Sequence, residues 1–193
     1  MLVNGTLFNS EAWHSLTKKD VVLLERVDES LLRGVLQAHP KMPLEALYLK
    51  TKAVPIRYIL ASRIIMYLYT ILQRDPSEML RKIFKEQKRN TSQGDFVELV
   101  EEDLDSIELN MTERMIQRMP KQKFKKIVKT KVLDASFKYL KGMKQTHSKL
   151  QYLKYDRFEM SEYLKSPKFN TVDISLLLAL RTRTVRGVRN DLS

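Results

Sequence analysis

The chain of 193 residues carries 35 Lys and Arg against 23 Asp and Glu, a formal charge of +12, with 43% hydrophobic residues and no Cys. That apolar share supplies a real core and excludes a fully disordered basic tail, and the length fits one domain or two small lobes. The missing Cys excludes disulfides, thiolate zinc sites, Fe–S clusters and cysteine nucleophiles.

The positive charge is local. Residues 1–113 hold 15 basic and 17 acidic side chains, residues 114–149 hold 12 basic ones and a single acid, Asp134, and residues 150–193 hold eight and five. Just upstream of the basic stretch, Asp95 to Glu113 carries eight acids and no Lys or Arg. The chain is therefore a patterned dipole and not a uniformly basic protein. Met1 to Phe8 lacks the basic start and long apolar run of a secretory signal, so the nucleus or cytoplasm is expected, without secretion. The most apolar stretch, Val54 to Leu72, is interrupted by Arg57 and Arg63 and reads as a buried helix, with no membrane as partner.

Taken in order, the segments read as helices almost throughout, and an all-α fold is expected. Thr17 to Asp20 has capping-box spacing, and Leu24, Val27, Leu31 and Val35 recur on one helical face until His39-Pro40 stops it. A short helical piece spans Pro43 to Leu49. Pro55 opens the next helix, whose apolar residues spread nearly all round, as in a central element. Asp75-Pro76 is a stop and restart, after which Met79, Leu80, Ile83 and Phe84 are expected to point inward. Arg89 to Gly94 is the most loop-like segment and marks a boundary between lobes 1–92 and 93–193.

Past it, Phe96 to Leu104 forms an acidic amphipathic helix, and Thr112 to Arg118 a short one stopped before Pro120. From Pro120 to about Thr146, Phe124, Ile127, Val128, Val132, Ala135, Tyr139 and Met143 share an arc. Lys123, Lys126 and Lys129 point away from it, with Lys125 and Lys131 nearer the arc. Residues 147–169 read as irregular, and a last helix runs from Val172 to about Thr184. No strand is expected.

The chemistry of a catalyst is missing from this pattern. No paired Asp residues sit in a strand–turn–strand setting for two metal ions, and Glu101-Glu102-Asp103 with Asp105 reads as a helix face. His14, His39 and His147 stand singly, and no Gly-rich phosphate loop is present. The residues describe a helical, basic domain with no catalytic residues, metal or cofactor, no small-molecule substrate and no enzymatic activity of its own. Lys121, Lys123, Lys126 and Lys129 suit phosphates as mobile point charges, or else form a solvated face neutralised by the preceding acids. Arg181 and Arg183, with Arg186 and Arg189, either bind a partner or pair with helix-terminal carbonyls. Arg57 and Arg63 mark surfaces where the central helix emerges.

Several islands together carry a resemblance: Leu7-Phe8-Asn9-Ser10-Glu11-Ala12-Trp13, Glu29 to Arg33, Leu47-Tyr48-Leu49, Val54 to Ile59 with Ser62-Arg63, Gly94-Asp95-Phe96, Tyr163-Leu164 and Leu180 to Arg183. Their order and spacing, over roughly Leu7 to Asn190, resemble the region after the polymerase core of non-LTR (LINE-like) retrotransposon reverse transcriptases. Ser62-Arg63 departs from the Arg-Arg more usual there. The resemblance implies a helical thumb-like bundle followed by a helical connector lobe, without the catalytic palm upstream or the zinc knuckle downstream. It implies an RNA or RNA–DNA duplex as partner, gripped through backbone contacts by Arg57, Arg63 and the lysine helix, and a lost contact with a polymerase palm. The alternatives are a helical protein-interaction module and an unselected retroelement relic.

Overall fold

A computed structural model of the chain describes residues 18–90, 92, 94–146, 162–166, 170, 172–174 and 177. Among them the regular structure is helical, without strands, so the fold class is all-α. The helices are α1 (Lys18–Leu36), α2 (Leu44–Thr51), α3 (Ile56–Gln73), α4 (Met79–Arg89), α5 (Phe96–Ser106), α6 (Glu113–Arg118), α7 (Lys121–Thr146) and α8 (Glu162–Lys165). Proline explains several starts: Pro43, Pro55 and Pro120 each stand just before a helix, where a missing N–H costs no hydrogen bond. Thr112 caps α6, its Oγ1 accepting from the Met115 N–H at 3.4 Å. Asp75 closes a turn with the Ser77 N–H at 2.8 Å, and α4 starts only after Glu78. Gly94, at φ +86°, supplies the left-handed residue that brings the chain into α5. The capping residue expected at Thr17 lies outside the described residues, as does all of 147–161; within 147–169 a helical turn, α8, stands where irregular chain was expected.

The chain forms two compact units. One holds residues 1–23 and 56–136. In it α3 packs chiefly against α5, and also against α6 and α4. Elements on both sides of the expected 92/93 boundary thus share a unit. Ten residues of α3 are buried, which is the wide apolar surface expected of a central helix. Phe96 sets its ring edge-on to Tyr67 at 5.6 Å and to Phe84 at 6.2 Å, tying α5 to α3 and α4.

The other unit holds residues 24–55 and 137–193. Leu36, Met42, Ala46 and Leu47 form one cluster, and Tyr48 and Leu49 with Leu140 another. Arg33 fixes the corner between α1 and α2: Nε donates to Glu29 Oε1 at 2.7 Å, Nη1 to the His39 carbonyl at 3.0 Å and Nη2 to the Met42 carbonyl at 2.7 Å. Tyr48 donates its hydroxyl to the buried Asp28 at 2.6 Å. Burial raises the Asp28 pKa against the opposing pull of that bond, and burial and the Asp28 charge raise that of Tyr48.

Two inward assignments need correction. On α4 only Phe84 is buried and Leu80 half-buried, whereas Met79 is 77% and Ile83 45% exposed. The apolar arc of this helix is wider than the surface it packs on, so its edge faces water. On α7 the buried positions follow a four-residue step, Phe124, Val128, Val132, Ser136 and Leu140. Four residues turn a helix by about 400°, so this stripe drifts by about 40° per step. One fixed arc cannot contain it, which is why Ser136 and Leu140 escaped the expected list. Ser136 tolerates burial because its Oγ donates to the Leu133 carbonyl at 2.9 Å within the helix.

Candidate nucleic-acid interface

The N-terminal half of α7 is seated by aromatic and backbone contacts from α3. Phe124, fully buried, stacks on Tyr69 with centroids 5.2 Å apart. The Tyr69 hydroxyl donates to the Met119 carbonyl at 2.9 Å, and Gln73 Nε2 donates to the Gln117 carbonyl at 2.8 Å. Those carbonyls end α6, where no helical partner remains for them. Two side chains of α3 thus fix the α6–α7 junction, and with it the first turn of α7.

With Phe124, Val128 and Val132 turned inward, the remaining positions of this half are left to solvent. Lys121, Lys123, Lys125, Lys126 and Lys129 are exposed, and Lys131 is half-buried. Lys125 thus lies further out than the helical-wheel reading placed it, because the buried stripe starts at Phe124 and turns away with each step. Among the described residues none of these lysines takes part in an ion pair.

Several of the acids upstream are engaged elsewhere. Glu113 pairs with Lys88. Asp95 accepts from the Ser92 N–H at 2.7 Å, and Glu98 accepts from the Gly94 N–H. Asp103 is half-buried, its Oδ2 shielded from solvent without a hydrogen-bond partner, and burial aided by the neighbouring Glu102 charge pushes its pKa up to about 7. Near neutral pH that carboxyl carries only part of a charge. Glu101, Glu102 and Asp105 are exposed and make no ion pair with α7.

A cleft of about 300 Å³ lies between α3 and the start of α7, lined by Arg63, Met66, Tyr67, Thr70 and Lys121. The four α3 residues lie three and four apart, one face of the helix. Arg63 and Lys121, two of the expected binding residues, are thereby brought together. Arg57 is exposed but sits six positions from Arg63, about 120° away round the helix, and does not line the cleft. Arg181 and Arg183 lie outside the described residues. Tyr67 and Thr70 were missed by sequence reasoning, although their spacing from Arg63 was a readable signal.

A larger cavity of about 730 Å³ opens among α3, α4, α5 and α6, floored by Leu68, Phe84, Val97, Val100 and Ile116. Lys88, Glu101, Glu113 and Arg114 also line it, leaving its charges balanced. No group of His, Cys, Asp and Glu among the described residues could hold a metal ion, and no single described helix is long and apolar enough to cross a membrane. No family model matches this chain, and neither a curated protein nor a solved structure matches it.

Proposed function

We propose that the chain is a non-catalytic binder of nucleic-acid backbone, acting on an RNA or RNA–DNA duplex as the thumb and connector of a retroelement reverse transcriptase would. The observation that carries this reading is the row Lys121, Lys123, Lys125, Lys126 and Lys129, exposed and without ion-pair partners among the described residues although an acidic helix lies close by in sequence. Lysines in such a row neutralise phosphates without reading bases, so affinity follows charge and salt more than sequence. The exposed apolar edge at Met79 and Ile83 agrees with a surface that packs against a polymerase palm.

The test is duplex affinity against salt. If five lysines each neutralise one phosphate, log K falls against log salt with a slope of about −4 to −5. A flat response, or no binding at low salt, rejects the reading, and template-dependent nucleotide incorporation by the purified chain rejects its non-catalytic part. A second reading, a helical protein-interaction module, draws on the apolar floor of the larger cavity. It requires charge reversal at Lys126 and Lys129 to disturb stability or a protein partner more than nucleic-acid affinity.

A further inference from the structure

The cleft beside Lys121 differs in shape and chemistry from the lysine row that continues from it. The row is the convex side of a helix and suits a strand running past. The cleft is concave and, at about 300 Å³, sits at the lower end of small-ligand pockets, enough for a phosphate and its sugar but not for a helix. Its lining supplies two cations from two helices, Arg63 and Lys121. Lys121 has no ion-pair partner among the described residues. Thr70 donates its hydroxyl to the Met66 carbonyl at 3.2 Å, which leaves its oxygen lone pairs to accept from a sugar hydroxyl. Tyr67 is held by its ring against Phe96, and its hydroxyl makes no hydrogen bond among the described residues. Met66 offers an apolar side to the face of a ribose.

We infer that this cleft takes the terminal phosphate of a nucleic-acid strand together with its sugar, with Lys121 and Arg63 on the phosphate and Tyr67 and Thr70 on the sugar hydroxyls. A terminal phosphomonoester carries about −1.5 to −2 charges near neutral pH against one for an internal diester, and so suits a cleft lined by two cations better. The inference rests on the reading of the lysine row as a backbone surface, and it assigns the row and the cleft separate tasks: one follows the strand, the other holds its end.

The experiment compares one RNA 12-mer bearing a 5′-phosphate with the same strand bearing a 5′-hydroxyl, using the full chain at about 0.15 M salt. The phosphorylated strand is expected to bind about fivefold more tightly or better, the worth of one added charge-assisted contact. Tyr67→Phe should bring that preference below about twofold with affinity for the hydroxyl strand nearly unchanged, whereas Lys121→Gln should abolish the preference and also weaken the hydroxyl strand by the one backbone contact that Lys121 supplies to the row. Lys126→Gln with Lys129→Gln should weaken both strands alike. Adenosine 5′-monophosphate should erase the preference at lower concentration than inorganic phosphate does. Equal affinity for the two strands, or a preference that survives both cleft variants, overturns the inference while leaving the lysine row standing. Equal competition by inorganic phosphate overturns the strand-end assignment in favour of a free-phosphate site. Failure of both strands to bind overturns the backbone reading as well.

Discussion

The acidic helix α5 and the first half of α7 carry dense charge of opposite sign close together in the chain, yet the fold treats them differently. Around α5, Asp103 buries its Oδ2, Asp95 and Glu98 hold loop N–H groups, and Glu113 pairs with Lys88. On α7 the lysines are left in water without ion-pair partners among the described residues. Part of the charge near α5 is committed to the fold, whereas charge on α7 is held available. A net charge of +12 conceals this division, because it counts a buried carboxyl and an exposed ammonium with equal weight.

The harshest way to break the contrast is to unseat α7. Phe124 is fully buried and stacked on Tyr69, so Phe124→Ala removes both its burial and the stack. A cost of about 3–5 kcal/mol is expected, read as a lower midpoint in urea unfolding. A change below about 1 kcal/mol would mean that α7 is not anchored at this ring.

The lysines should behave in the opposite way. Replacing Lys123, Lys126 and Lys129 together by Gln is expected to shift stability by no more than about 0.5 kcal/mol per site, since they are exposed and have no ion-pair partner among the described residues. Duplex affinity should fall by about ten- to a hundredfold near 0.1 M salt, and the salt slope should shrink by about 2.7. Lost stability with unchanged binding would show that the lysines serve the fold as the acids do.

Asp103 provides a pH test of the acidic side. Its folded pKa of about 7 lies above the unfolded value near 3.8, so between those limits the folded chain keeps a proton that the unfolded chain releases. Stability therefore falls as pH rises from about 4 to 7 and levels off above that. Asp103→Asn, which stays neutral, should flatten this part of the profile and raise stability at pH 8 by about 1–3 kcal/mol. Thermal unfolding at pH 4, 6 and 8 reads it, and parallel profiles for the two proteins would contradict a buried, unpartnered carboxyl.

Much of this division was legible in the residues, and the remainder has identifiable physical reasons. Prolines at 43, 55 and 120 announced α2, α3 and α7 because proline acts locally through its own ring and missing N–H. The outward direction of Lys123, Lys126 and Lys129 followed from helical periodicity alone. Met79 and Ile83 were misplaced because periodicity reports an apolar arc, not how much of it a neighbour covers. Leu140 was missed because a four-residue stripe precesses round a straight helix. The meeting of Arg63 with Lys121 depends on Tyr69 and Gln73 catching two carbonyls at the far end of α6, a long-range event with no local signature. The commitment of Asp103 was likewise hidden, since its neighbours in sequence are exposed acids.

The smallest effect is expected from the acids that the fold leaves unused. Glu101, Glu102 and Asp105 are exposed and pair with no lysine of α7, so they can oppose an approaching phosphate only through the long-range field. At physiological salt that field decays over about 8 Å, so neutralising all three, Glu101→Gln, Glu102→Gln and Asp105→Asn, should raise duplex affinity by no more than about threefold. At 0.01 M salt, where the screening length reaches about 30 Å, the gain should grow to about tenfold, mostly through faster association. A large gain that persists at high salt would require direct contact between these carboxylates and the lysines or the bound strand. The division between committed acids and available lysines would then have to be redrawn with α5 as a competitor for the phosphate site.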